Sequence, residues 1–212
     1  MRKCIISFIV LLSMSISLAI PAFAAESVEP SKNQPISFTQ NIDGQNVEYL
    51  LYRSGSVNYV QYTVNGCTRI ASYNQINGDL RLDGQVLAVV SPIDTAFFHS
   101  IVSHIGIVPY VDEEVEWHHY DTEYGDITSD ILTVIDWTSL IIALVSGTLA
   151  LPTIREAAED IAKDIVALAL PTVYYTRCYY YKTPIVSYRP EIRSSWEFFS
   201  DSARTHSIGT IG

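Results

Sequence analysis

Histidines, carboxylates and thiols are the side chains here that could do chemistry, and their spacing decides which chemistry is open to them. Residues 112–136 hold nine Asp and Glu and neither Lys nor Arg, with His118 and His119 in their midst. Imidazole beside carboxylate is a metal-ligand set. Yet EVEWHHYDTEY alternates as a strand does, and neighbours on a strand point to opposite faces. Asp121, Glu123 and Gly125 do not complete the D-x-D-x-D-G pattern of a calcium loop. His99 and His104 sit five apart, which turns them about 140° from each other on a helix. The expectation is a solvated acidic face and no metal site. The sequence holds no Gly-rich phosphate loop, no G-x-S-x-G elbow, no H-E-x-x-H and no C-x-x-C. A noncatalytic chain is expected, with no catalytic residue and no cofactor.

The thiols depend on where the mature chain begins. Arg2 and Lys3 form a positive n-region, Ile5 to Ile20 an apolar stretch, and Ala22-Phe23-Ala24 a small-residue cleavage motif. Residues 1–24 therefore read as a secretory signal cut between Ala24 and Ala25, and the protein as secreted. Cys67 and Cys178 remain. In an exported chain they are most simply one disulfide, whose long loop is worth about 4–5 kcal/mol on chain-entropy grounds. Losing Arg2 and Lys3 takes the formal net charge from −10 to −12. A surface that acidic repels phosphate backbones, which argues against nucleic acid as a partner.

The elements that position these groups follow from turns and periodicity. Residues 25–46 read as a flexible leader, and 47–200 as a single α+β domain. Short β-branched and aromatic runs over 47–90 form an antiparallel meander, with Asn65-Gly66 and Asp83-Gly84 as two-residue hairpin turns. With Asn65-Gly66 as the loop, Val64 pairs with Cys67, Tyr62 with Arg69 and Val60 with Ala71, giving one mostly apolar face. Ser91-Pro92-Ile93-Asp94 starts a helix over 91–106. A central hydrophobic helical hairpin spans 130–170. Its first helix begins near Ser129 or Asp130; its second carries a Thr153–Glu156 capping box and stops at Pro171. Tyr-rich strands fill 172–200, and 201–212 frays.

The hairpin is the strongest functional feature. Trp137 to Ile154 holds 18 residues without a charge, the lower limit for crossing a bilayer and also enough for a buried helix. Ser139, Ala143 and Gly147 recur every four residues, a small-residue stripe that lets another backbone approach. Trp137, Ile142, Leu151 and Ile154 supply its apolar surface. The order of elements resembles that of small exported proteins of Gram-positive bacteria, some of them bacteriocin-like. The resemblance rests on Ser139–Ala143–Gly147, the uncharged run and VYYTRCYYYK. It implies a secreted, membrane-active protein that works through residues 130–170, with a lipid bilayer as partner. Two alternatives stand beside it. One is an exported soluble or cell-surface binding or structural protein whose hairpin is simply its core; the other is a single-span membrane protein.

Overall fold

The computed structural model describes residues 34–90, 116–129, 132–146, 151–182 and 191–212. The expected signal peptide with its Ala24–Ala25 cut, the helix expected over 91–106, and Gly147 lie outside the described residues.

Six consecutive strands form one antiparallel meander, sheet A: β1 (Ile36–Ile42), β2 (Gln45–Ser54), β3 (Val57–Val64), β4 (Cys67–Asn74), β5 (Asp79–Leu82) and β6 (Gln85–Val89). Three of its turns are the same device. Asp43-Gly44, Asn65-Gly66 and Asp83-Gly84 take positive φ at both positions: 49° and 78°, 51° and 77°, 48° and 83°. That is the type I′ geometry whose twist matches the strands it joins. The register read from Asn65-Gly66 is the one observed, with Val64 opposite Cys67, Tyr62 opposite Arg69 and Val60 opposite Ala71. The leader expected to be flexible through residue 46 is instead a strand from Ile36 onward. Asp43-Gly44 folds β1 back onto β2, pairing Ile36 with Leu51 and Ile42 with Gln45. Val47, Tyr49, Val60, Tyr62, Ala71, Tyr73 and Leu80 are buried on the inner face of sheet A.

Two helices meet that face. α1 (Val134–Val145) starts with a capping box, in which Thr133 Oγ1 accepts from the Asp136 N–H (3.2 Å) and Asp136 Oδ2 from the Thr133 N–H (3.1 Å). The helix thus begins later than Ser129 or Asp130; the Ser129 N–H bonds to the Pro171 carbonyl (3.1 Å) instead. α2 (Leu151–Ala167) starts ahead of the expected Thr153–Glu156 box. Pro152 sits in its first turn, where a missing N–H costs no helical bond. It ends before Pro171 in a Schellman arrangement: Leu170 N–H bonds to the Ile165 carbonyl (3.2 Å), Ala169 N–H to that of Val166 (3.0 Å). Ala169 takes the left-handed conformation there, at φ 50°.

Sheet B has the order β10-β9-β8-β7, with β7 (His118–Thr128), β8 (Thr172–Lys182), β9 (Glu191–Phe199) and β10 (Ser207–Ile211) all antiparallel. The tail expected to fray over 201–212 contains β10. Asp201 closes the preceding turn by accepting from the N–H groups of Thr205 (3.1 Å) and His206 (2.8 Å). Gly209 lets the strand lie against α2, since a Cβ there would stand 2.6 Å from Ile161 Cγ1.

α1 packs on β3, β4 and β5, and α2 packs on α1 and β10. Every residue from Ile135 to Val145 is buried, whereas α2 buries a single stripe of Ile154, Ala158, Ile161, Ala162 and Ile165. A one-faced sheet and an all-round apolar helix solve each other's burial problem. The chain is α+β and strand-dominated, with two antiparallel sheets and two helices among the described residues.

Candidate functional site

Of the residues singled out in the uncharged run, Trp137, Ser139, Ile142 and Ala143 are fully buried in α1, and Ile154 is buried in α2. Leu151 is half-buried at the α2 start. The hydroxyls inside α1 are satisfied locally: Thr138 donates to the Val134 carbonyl (2.8 Å) and Ser139 to that of Ile135 (2.7 Å). Ser139 lies toward sheet A, beside the Tyr49 hydroxyl. Small side chains there make room for the tyrosines of the sheet.

Asp136 is the polar centre of this interior. Its carboxylate, 5% exposed, accepts from Tyr62 Oη, from Arg69 Nη1 (2.6 Å) and from the Thr133 N–H. Arg69 also bonds Asp83 through Nε (2.7 Å), and Asp83 Oδ1 accepts from the Ile70 N–H (2.9 Å). Burial and the Asp136 carboxylate both push the Tyr62 hydroxyl well above the usual phenol range. The three elements α1, β3 and β4 are locked together by one carboxylate. The charge that the sequence sets at the edge of a membrane candidate is thereby a structural tie.

The inner face of sheet B carries a second buried charge that sequence reasoning missed. Alternation along β8 puts Val173, Tyr175, Arg177 and Tyr179 inward. The Arg177 guanidinium lies between the Tyr179 and Trp196 rings, 4.5 Å from each centroid. Glu123 Oε2 stands 4.0 Å from Arg177 Nη1 and accepts from Tyr179 Oη (2.7 Å). Ring faces and one carboxylate offset the buried cation. Arg177 Nε and Nη1, Ser194 Oγ and Trp196 Nε1 are buried, with no hydrogen-bond partner among the described residues.

Cys67 and Cys178, the pair expected to form a disulfide, are both free thiols in this structure. Cys67 is exposed beside the Asn65-Gly66 turn of sheet A. Cys178 alternates with Arg177 and so lies on the outward face of sheet B, its Sγ 3.9 Å from Thr122 Oγ1. Cys67 shares the side of β4 that carries Ala71 and Tyr73 but lies at the strand end, whereas Cys178 lies on the opposite side of β8 from Arg177.

His118 stacks near Tyr181 and His119 near Tyr180, with centroids 5.4 and 5.5 Å apart. Among the described residues no group of three or more His, Cys, Asp or Glu could hold a metal ion. An open cleft of about 460 Å³ lies at the outer face of sheet A, lined by Ser37, Phe38 and Thr39 of β1, Glu48, Tyr49 and Leu50 of β2, and Gln61 and Thr63 of β3. On the same face the Tyr52 and Tyr59 rings stack, 5.0 Å between centroids and 10° from parallel. The sequence signal for this face was the alternation of 48, 50, 52 against 59, 61, 63. No family model, curated protein or solved structure matches the chain.

Proposed function

We propose that this is an exported, noncatalytic binding or structural protein, in which the helical hairpin expected over 130–170 is the core and the exposed sheet faces do the binding. The observation that carries this reading is the unbroken burial of α1 from Ile135 to Val145. Its 12 residues reach about 18 Å at 1.5 Å per residue, short of the roughly 30 Å of a hydrocarbon core. Among the described residues no helix is long and apolar enough to cross a membrane. Withdrawing α1 would uncover the inner face of sheet A and strip Asp136 of Tyr62 and Arg69. The bacteriocin-like reading requires both to happen at a bilayer surface.

Dye-loaded anionic vesicles separate the two. Folded wild type should leave vesicles intact at about pH 7.5 and about pH 5, and Ile142→Asp should fail to fold, because it buries an unpaired carboxylate. Leakage near pH 5 that Ile142→Asp suppresses would overturn the core reading in favour of a membrane-active one.

A further inference from the structure

We infer that the outer face of sheet A binds a neutral, extended glycan chain; this rests on the reading of the protein as a binding module and names its ligand class. The cross-strand pairs Glu48 with Thr63, Leu50 with Gln61 and Tyr52 with Tyr59 are three successive steps of one register, so their side chains share one face. β1 adds Thr39 opposite Glu48 and Ser37 opposite Leu50. The result is a strip about 14 Å long at ~3.4 Å per residue, polar at one end and aromatic at the other.

The chemistry of the strip selects the ligand. Its polar end offers the hydroxyls of Ser37, Thr39 and Thr63, one amide and one carboxylate around Leu50, with Phe38 and Tyr49 also contributing to the lining. No Lys, Arg or His lines the cleft, so a phosphate, sulfate or uronate would meet Glu48 with nothing to balance its charge. An acyl chain would find too little apolar wall, since sites for apolar ligands are mostly hydrophobic and enclosed. A sugar matches both ends. Its hydroxyls exchange hydrogen bonds with amide, carboxylate and hydroxyl groups, and its C–H face packs on an aromatic ring. The half-exposed Tyr52 and Tyr59 are already stacked on each other, which fixes their orientation before binding and lowers the ordering cost. A β-1,4-linked chain is the flat ribbon that lies along such a strip.

The test is calorimetric titration of the folded full chain with cellohexaose, chitohexaose and, as an anionic control, heparin. Binding of at least one neutral hexamer is expected, with heparin silent. Tyr52→Ala and Gln61→Ala should each weaken that binding at least tenfold. Tyr52→Phe, which keeps the ring, should retain it, as should Tyr124→Ala on the outer face of sheet B. Unchanged melting of each variant guards against misfolding. Failure of both neutral hexamers to bind, equal binding of heparin, or full binding by Tyr52→Ala would overturn the inference. The vesicle assay is independent of these sugars: intact vesicles with no glycan binding would sink the ligand class alone, whereas leakage would sink the binding-module reading beneath it.

Discussion

Replacing Asp136 should damage the fold far more than removing any surface acid. In Asp136→Ala, Tyr62 Oη loses its acceptor inside the core, a loss worth about 1–3 kcal/mol for a buried hydroxyl. The Thr133 capping box loses one of its two bonds, worth about 1 kcal/mol. Arg69 is spared the full penalty because Asp83 holds its Nε at 2.7 Å. The expected total is about 2–4 kcal/mol, overlapping the size typical of breaking a buried charge pair. For a chain this long that lowers the melting temperature by roughly 4–16 °C. Tyr62→Phe leaves the carboxylate with Arg69 and the Thr133 N–H, and should cost about 1–2 kcal/mol. Because Tyr62 and Asp136 touch, the double variant Tyr62→Phe, Asp136→Ala should fall short of the sum of the singles by about 0.5 kcal/mol or more. Urea unfolding of the four proteins at neutral pH measures all of this. Asp136→Ala within about 1 kcal/mol of wild type, or strict additivity in the cycle, would refute the locked interior.

Other outcomes follow from single features of the fold. Burial pushes Tyr49 up to about 12 and holds Tyr62, Tyr73, Tyr175 and Tyr179 above the usual phenol range. The folded state keeps protons that the unfolded chain releases near pH 10. Stability should therefore be level below about pH 10 and fall above it, by up to about 1.4 kcal/mol per pH unit per tyrosine. Urea unfolding with tyrosinate absorbance along the pH series reads this, and all tyrosines ionising together near pH 10 in folded protein would contradict it. Ala169→Gly should raise stability by about 0.5–1 kcal/mol by relieving a left-handed alanine, seen as a higher melting temperature. Gly125→Ala should cost about 1–3 kcal/mol by overpacking, since its Cβ would stand 2.2 Å from the buried Tyr175 hydroxyl. Gly84→Ala, with open space around it, should lose only the roughly 1 kcal/mol of a left-handed residue. Reducing agent should leave the melting temperature unchanged, and a drop of several degrees would mean that Cys67 and Cys178 are bridged after all.

Local chemistry made much of sheet A legible. Asn65-Gly66 fixes a register because both turn residues need positive φ, and nothing distant competes with it. The same dipeptide logic was available at Asp43-Gly44, and overlooking it cost β1. What the sequence hides is contact across the core. β10 looks like a polar tail until Gly209 meets Ile161. Asp136 looks like a stray acid on an apolar helix until Tyr62 and Arg69 arrive from strands more than sixty residues away. Helix starts fall between these cases. Thr133 and Asp136 carry a readable box, but Ser129 offers an equally good cap until its N–H is seen bonded to Pro171. The alternation of VYYTRCYYYK sets Cys178 opposite in facing to the inward Arg177. The outer-face strip was likewise present in the alternation of β2 and β3, though only the folded register brings Glu48, Gln61 and Tyr52 onto one surface.

Amide hydrogen exchange of α1 in the full chain tests the central claim most directly. If α1 is the core, the amides of Thr138 to Val145, which lie within the helix's hydrogen-bonded turns, exchange only when the whole protein unfolds. Their opening free energies should then equal the stability measured in urea and match those of buried β3, with and without anionic vesicles at about pH 5. Rapid exchange of those amides while β3 remains protected, in solution or on vesicles, would contradict the account and show α1 leaving the fold on its own.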